Sequence, residues 1–157
     1  MLRRLLIAIT VLSIGAAASP AIADSDLVIK VAHPAVTANL NPVTPGTASP
    51  GDLRTFYAKL TKPGKSTRIG FMTGSLLTTE VGVPSAGKEY RTADLVFSIG
   101  KARNQLIVGG VAVYQQQAPT VAERTSVVRP VIGGSGKYDG ARGWCESIHR
   151  NDGTWRP

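Results

Sequence analysis

The sequence predicts an all-β fold, an antiparallel barrel or sandwich, on three observations. After residue 24, no stretch keeps an apolar i, i+3, i+4, i+7 pattern over three turns. Valine, threonine, isoleucine and glycine dominate, which favours strands and the tight turns between them. Short runs recur between turn signals and make about seven strands, at spacings that suit a barrel or sandwich.

Residues 1–23 precede that domain as a secretory signal peptide. Arg3 and Arg4 lead an apolar run over residues 5–14 (LLIAITVLSI), and Ala21-Ile22-Ala23 is an A-x-A cleavage pattern. The run is too short to leave a stable membrane anchor after cleavage. A secreted or extracytoplasmic domain of residues 24–157 is therefore expected. Within it the first strand is read over residues 27–32 (LVIKVA), followed by a long irregular crossing over 36–51, rich in Pro, Thr, Ala and Asn. The next strand, 53–60 (LRTFYAKL), is closed by Lys62-Pro63-Gly64-Lys65. Residues 68–81 carry Gly70 and Gly74, which in a strand mark bends or close backbone approach. Residues 89–99, 105–115, 121–132 and 141–149 complete the set.

The 105–115 strand is apolar on both faces. Leu106, Val108, Gly110, Ala112 and Tyr114 share one face, and Ile107, Gly109, Val111 and Val113 share the other. A strand apolar on both faces is covered on both. In a single-layer barrel the outer face then needs another segment or subunit, so a homo-oligomer is expected.

Charge and cysteine content narrow the function classes. The formal net charge of +8 falls by two when Arg3 and Arg4 leave with the signal peptide. The remaining basic residues scatter near predicted turns, and no basic run interleaves with aromatics, so nucleic-acid binding is not expected. Cys145 is the only cysteine and cannot close an internal disulfide, so the core must hold the fold unaided. Cys145 and His149 share strand parity but lie four residues apart, about 13 Å along a strand, too far to share one metal.

The glycine-rich stretch over residues 131–147 (VIGGSGKYDGARGWCES) raises the question of a phosphate loop. A Walker A motif aligned on Gly136-Lys137 would need glycine at Val131 and Ser or Thr at Tyr138. A dinucleotide fingerprint starting at Gly134 would need glycine at Asp139, and no helix follows. The stretch instead reads as strand, tight turn and strand, with glycines supplying positive φ angles.

Residues 129–143 (RPVIGGSGKYDGARG) resemble the late signature of plant dirigent proteins and the corresponding segment of allene oxide cyclases. Gly51-Asp52 followed by Phe56 and Leu60 is similar to an early G-D-x-x-x-F-x-x-x-L pattern of the cyclases. Arg68-Ile69-Gly70 through Gly74, and residues 108–114 (VGGVAVY), are similar to later strands of both families. Across the whole domain the chain looks like an exported bacterial member of this barrel superfamily. The resemblance implies an eight-stranded antiparallel barrel, often trimeric, with an apolar lumen open at one end. It also implies steering of a reactive small molecule with no metal or organic cofactor.

The match departs from the cyclases in the first strand. Their functional glutamate and asparagine correspond to Val31 and His33 here. Tyr90, Asp94, Tyr114 and Glu146 are then the polar strand residues left for catalytic work in a lumen. A carboxyl buried there would have a raised pKa, suited to general-acid chemistry. Asp52 reads as an Asx-type turn at a strand start, and Arg142 as a structural ion pair or an anion ligand. The chain ends soon after Thr154-Trp155, so the last strand is expected to be truncated, leaving a gap or shortened edge beside the first. The expected function is binding of a small apolar ligand in the lumen, with a cofactor-free isomerisation or cyclisation. The alternatives are a non-catalytic carrier or envelope-associated binding protein, and a truncated, degenerate family member.

Overall fold

The structure, a computed structural model, describes residues 27–152 and 154–156. The expected signal peptide lies outside the described residues. Eight strands run in chain order: β1 (Asn39–Asn41), β2 (Leu53–Thr61), β3 (Arg68–Val81), β4 (Lys88–Ile99), β5 (Gln105–Gln115), β6 (Ser126–Ser135), β7 (Gly143–His149) and β8 (Trp155–Arg156). They form one sheet in that same order, every neighbouring pair antiparallel. The fold is the all-β, eight-stranded antiparallel sheet that the sequence predicts. A single 3₁₀ turn, Gly136–Tyr138, is the one helical piece among the described residues.

The sheet curls into a barrel-like form. β8 has two residues and pairs with β7 through Ile148 with Arg156 and His149 with Trp155. The last strand is thus short, as expected. The segment ahead of β1 spans the interval between the sheet's ends. Ala32 bridges Thr61 in β2, and His33 bridges Trp155 in β8. Two hydrogen bonds of 2.8 Å join Ala32 to Thr61, and Trp155 N donates to His33 O at 3.0 Å.

Three strand assignments change. Residues 27–32 are not a continuous strand; only Ala32 and His33 form bridges, and Pro34 has no N–H to extend the ladder. β1 lies inside the stretch expected to be irregular. Its three residues are exposed, so no apolar alternation marks it, and it pairs only along Leu53–Thr55 of β2. The 121–132 strand begins instead at Ser126, because residues 121–125 turn against β7: Arg124 N donates to His149 O and His149 N to Thr125 O. β6 also runs on through Gly133 and Gly134. A side chain at Gly134 would collide with the backbone carbonyls of Tyr138 and Gln105, so only glycine lets β5 and the 3₁₀ turn come this close.

Alternation decides which face is inside. Even residues of β2, β3 and β5 point inward, and odd residues of β4, β6 and β7 do so. The buried core is Leu60, Met72, Leu76, Leu95, Phe97, Val108 and neighbours. Phe56, Gly74, Leu95, Val108 and Val131 are consecutive partners across five strands. A Cβ at Gly74 would stand 2.7 Å from Leu95 and 2.8 Å from Phe56, so this glycine makes room for both. The outer face differs. Val111, Val113, Val128, Ile132, Ile148 and Trp144 are exposed there, an apolar patch across β5 to β7.

β5 and β6 pair only between Gln105–Val108 and Val131–Ser135. Beyond that point they part. Pro130 has no N–H for the ladder, and Gly110 has left-handed φ (+121°) with the Pro130 ring 3.0 Å from its would-be Cβ. The inward residues just past the parting are Tyr114 on β5 and Arg129 on β6. Among the described residues, no helix is long and apolar enough to cross a membrane.

Candidate functional site

Inside the curled sheet lies a cavity of about 260 Å³. Phe56, Met72, Leu76, Leu95 and Phe97 give it an apolar body. Tyr114, Arg129, Ser147, His149, His33 and Trp155 gather polar and aromatic groups on the side where β5 and β6 part and β8 meets the first segment. An apolar enclosure with a few convergent polar groups is the usual form of a small-molecule site.

Arg129 is the decisive residue. It is 5% exposed. Its Nη2 donates to the Tyr114 hydroxyl oxygen at 2.7 Å, and its Nε is buried with no acceptor. No carboxylate pairs with it among the described residues. A buried cation without a counter-charge is expensive to hold. The Tyr114 oxygen accepts from Arg129, which leaves its own proton free to donate. The Ser147 hydroxyl, also buried, adds a second donor on the cavity wall.

Backbone carbonyls fix both imidazoles. His33 Nδ1 lies 2.8 Å from Pro34 O, and His149 Nδ1 lies 2.8 Å from Val121 O. A carbonyl can only accept, so each Nδ1 carries a proton, and in a neutral ring Nε2 is then the acceptor. Burial first, then the charge of His149, lowers the His33 pKa, and the bond to Pro34 opposes them without reversing the shift. His33 is therefore a neutral base at pH 7. Both imidazole rings lie nearly parallel to the Trp155 indole, with centroids 5.9 Å away for His33 and 4.6 Å for His149. The closure of the sheet thus builds an aromatic stack.

A second buried cluster closes one end of the interior. Glu89 accepts from Arg91 Nε and from Thr78 Oγ1 at 3.3 Å, and Arg54 Nη1 lies 3.8 Å away. Arg91 Nη2 donates to Ala118 O at 2.6 Å, and its guanidinium stacks 4.3 Å from the Tyr114 ring centre. Two guanidiniums share one carboxylate. Burial, then the charge of Arg54, accordingly pulls the Arg91 pKa below its ordinary value, against the opposing pull of Glu89.

A second cavity, about 380 Å³, lies on the other side of Phe97, which lines both. Val31, Ile99, Val108, Tyr138 and Cys145 line it, with Lys137, Asp139 and Arg142 also on its wall. Burial pushes the Cys145 thiol up from its ordinary pKa, so it is protonated at neutral pH and no nucleophile. Among the described residues no group of three His, Cys, Asp or Glu side chains converges to hold a metal.

Of the four residues expected in the lumen, only Tyr114 is inside. Asp94 is exposed on the outer face of β4, because from Glu89 to Phe97 the buried residues of that strand are the odd-numbered ones. Tyr90 shares its even parity and is half-buried. Glu146 is exposed on β7 and accepts from Ser126 Oγ at 2.7 Å. Placing these three in the lumen is corrected. Val31 lines the second cavity, and His33 lines the first. Asp52 is the turn residue expected, its carboxylate accepting from Val43 N at 2.8 Å and Ser49 N at 3.0 Å. Arg142 is exposed and donates to Ala141 O.

Sequence reasoning passed over Arg129, Glu89, Arg91 and His149 as interior groups. The signal was there in parity. Glu89 and Arg91 stand in register with Ala93, Leu95 and Phe97, and Arg129 stands between Val127 and Val131. A charged residue on the apolar parity of a strand is a buried charge.

No family model and no curated protein matches this chain. Among solved structures it is similar to a pyocyanin demethylase, with a TM-score of 0.60 and 14% identity over 82% of this chain and 95% of that one. The likeness is one of fold.

Proposed function

We propose that this chain binds a small, largely apolar molecule in the cavity within its sheet. The observation that carries the reading is the half-open, largely apolar cavity with Tyr114, Arg129, Ser147, His33 and His149 converging at one side. The same groups fit a cofactor-free isomerisation or cyclisation. Tyr114 donates a proton or hydrogen bond to a developing oxyanion, strengthened by Arg129 on its oxygen. His33, neutral and accepting at Nε2, removes a proton. A protein of similar fold is named for acting on a small molecule, pyocyanin, and that precedent supports a small-molecule ligand. The reading agrees with the resemblance to the allene oxide cyclase and dirigent superfamily, and with export to an extracytoplasmic compartment behind a signal peptide. The exposed apolar patch on β5 to β7 supports a homo-oligomer that covers it.

The test is mass spectrometry of small molecules released from the protein purified from its native host. A stoichiometric apolar ligand supports the reading, and an empty cavity overturns it. Turnover of that ligand, lost in Tyr114→Phe, supports catalysis; release of the ligand unchanged under all conditions favours the carrier.

A further inference from the structure

We infer that the interior cavity selects a planar aromatic anion, one or two rings carrying a single carboxylate or phenolate, with Arg129 as the group that receives the charge. The inference rests on the interior binding reading and adds the chemical class of the ligand.

Three observations carry it. The first is charge. Arg129 is enclosed and has no carboxylate partner among the described residues. Of its five N–H donors, only one on Nη2 finds an acceptor among the described residues. The nearby carboxylate Glu89 is committed to Arg91 and Arg54, and Asp52 to the amides of Val43 and Ser49. An anion in the cavity supplies the counter-charge that the fold leaves out. Tyr114 and Ser147 hydroxyls stand on the same wall as further donors.

The second is shape. Phe56, Phe97, Tyr114, Trp155, His33 and His149 put six rings on the cavity wall, with His33 and His149 stacked on Trp155. A flat π-system meets such rings offset or edge-to-face, whereas a flexible chain gains only area. The third is size. A cavity of about 260 Å³ falls just below the roughly 300 Å³ at which drug-sized sites begin. A mono- or bicyclic ring system fits a space of that size.

Isothermal titration of the whole domain with four probes tests this: 2-naphthoate, its neutral isostere 2-naphthamide, 2-methylnaphthalene and decanoate. Naphthoate is expected to bind at least about tenfold tighter than naphthamide, the scale of a hydrogen bond to a charged group. It is expected to exceed decanoate as well. Arg129→Gln should reduce the naphthoate preference over naphthamide to within about twofold, with Arg129→Lys between the two. Equal affinity of the unaltered protein for naphthoate and naphthamide overturns the anion claim while leaving the interior site standing. That comparison needs no variant. Decanoate binding as tightly as naphthoate overturns the aromatic claim. Binding of none of the four overturns the interior site itself, and this inference with it. Selectivity that survives in Arg129→Gln removes Arg129 from the role.

Discussion

Replacing Glu89 by glutamine isolates what the buried charge cluster contributes. Glutamine keeps the volume and one acceptor oxygen, and it removes the only carboxylate shared by Arg54 and Arg91. All three side chains are at most 2% exposed, and Arg54 Nη2 and Arg91 Nη1 already lack acceptors. The variant therefore leaves two guanidiniums in the interior without a counter-charge, held only by neutral partners: Thr78 Oγ1, Ala118 O and the Tyr114 ring. Removing one partner of a buried pair costs about 3–5 kcal/mol. For a domain of roughly 130 residues, 1 kcal/mol moves the midpoint by about 3–6 °C, so Tm should fall by about 10–30 °C. Urea unfolding followed by far-UV circular dichroism measures the free energy directly. Adding Arg91→Met to Glu89→Gln should recover more than half of the loss, since one cation then leaves with the anion. A loss below about 1 kcal/mol in the single variant would refute the reasoning and mean that water solvates these groups.

The same assay applied to Arg129→Met should show stability unchanged or raised by up to about 2 kcal/mol, because this cation has no carboxylate to lose; a large loss would contradict its unpaired state. For His33 the folded pKa lies below the ordinary 6.5, so the unfolded chain binds the proton more readily. Its contribution to stability is complete above pH 6.5 and is lost as pH falls through the lowered folded value. His33→Gln should flatten the stability profile over that window, and an unchanged slope would refute the assignment. Cys145, whose thiol pKa burial raises, should react with iodoacetamide at pH 7.5 at least about tenfold more slowly in the folded protein than in urea; equal rates would refute its burial.

The fold class was legible because alternation and turn residues are local signals. β2, β3, β4, β5 and β7 lie within two residues of where the pattern puts them. What escaped depends on distant parts of the chain. Ala32 and His33 gain strand-like partners only because Thr61 and Trp155 arrive beside them. β1 is three exposed residues held by backbone bonds, and a side-chain pattern cannot report it. The site was legible at Tyr114 alone. Asp94 and Glu146 were favoured as carboxylates, yet polarity is no guide to facing. Parity relative to apolar neighbours is, and it places Asp94 outside and Glu89 inside.

Three arginines are buried here to nearly the same degree, and burial alone does not separate their roles. Partnership does. Arg54 and Arg91 share Glu89 and tie β2 and β4 together near the Ala118 loop. Both deliver their charge to groups the chain already owns. Arg129 gives one bond to a neutral phenol and faces a cavity. A fold under selection for stability alone would place leucine or methionine there at no cost in volume. Retaining a desolvated cation beside a ring-stacked wall is the pattern expected when stability is given up for binding. The partner of Arg129 is therefore to be sought among molecules that enter the cavity, not among the residues of the chain.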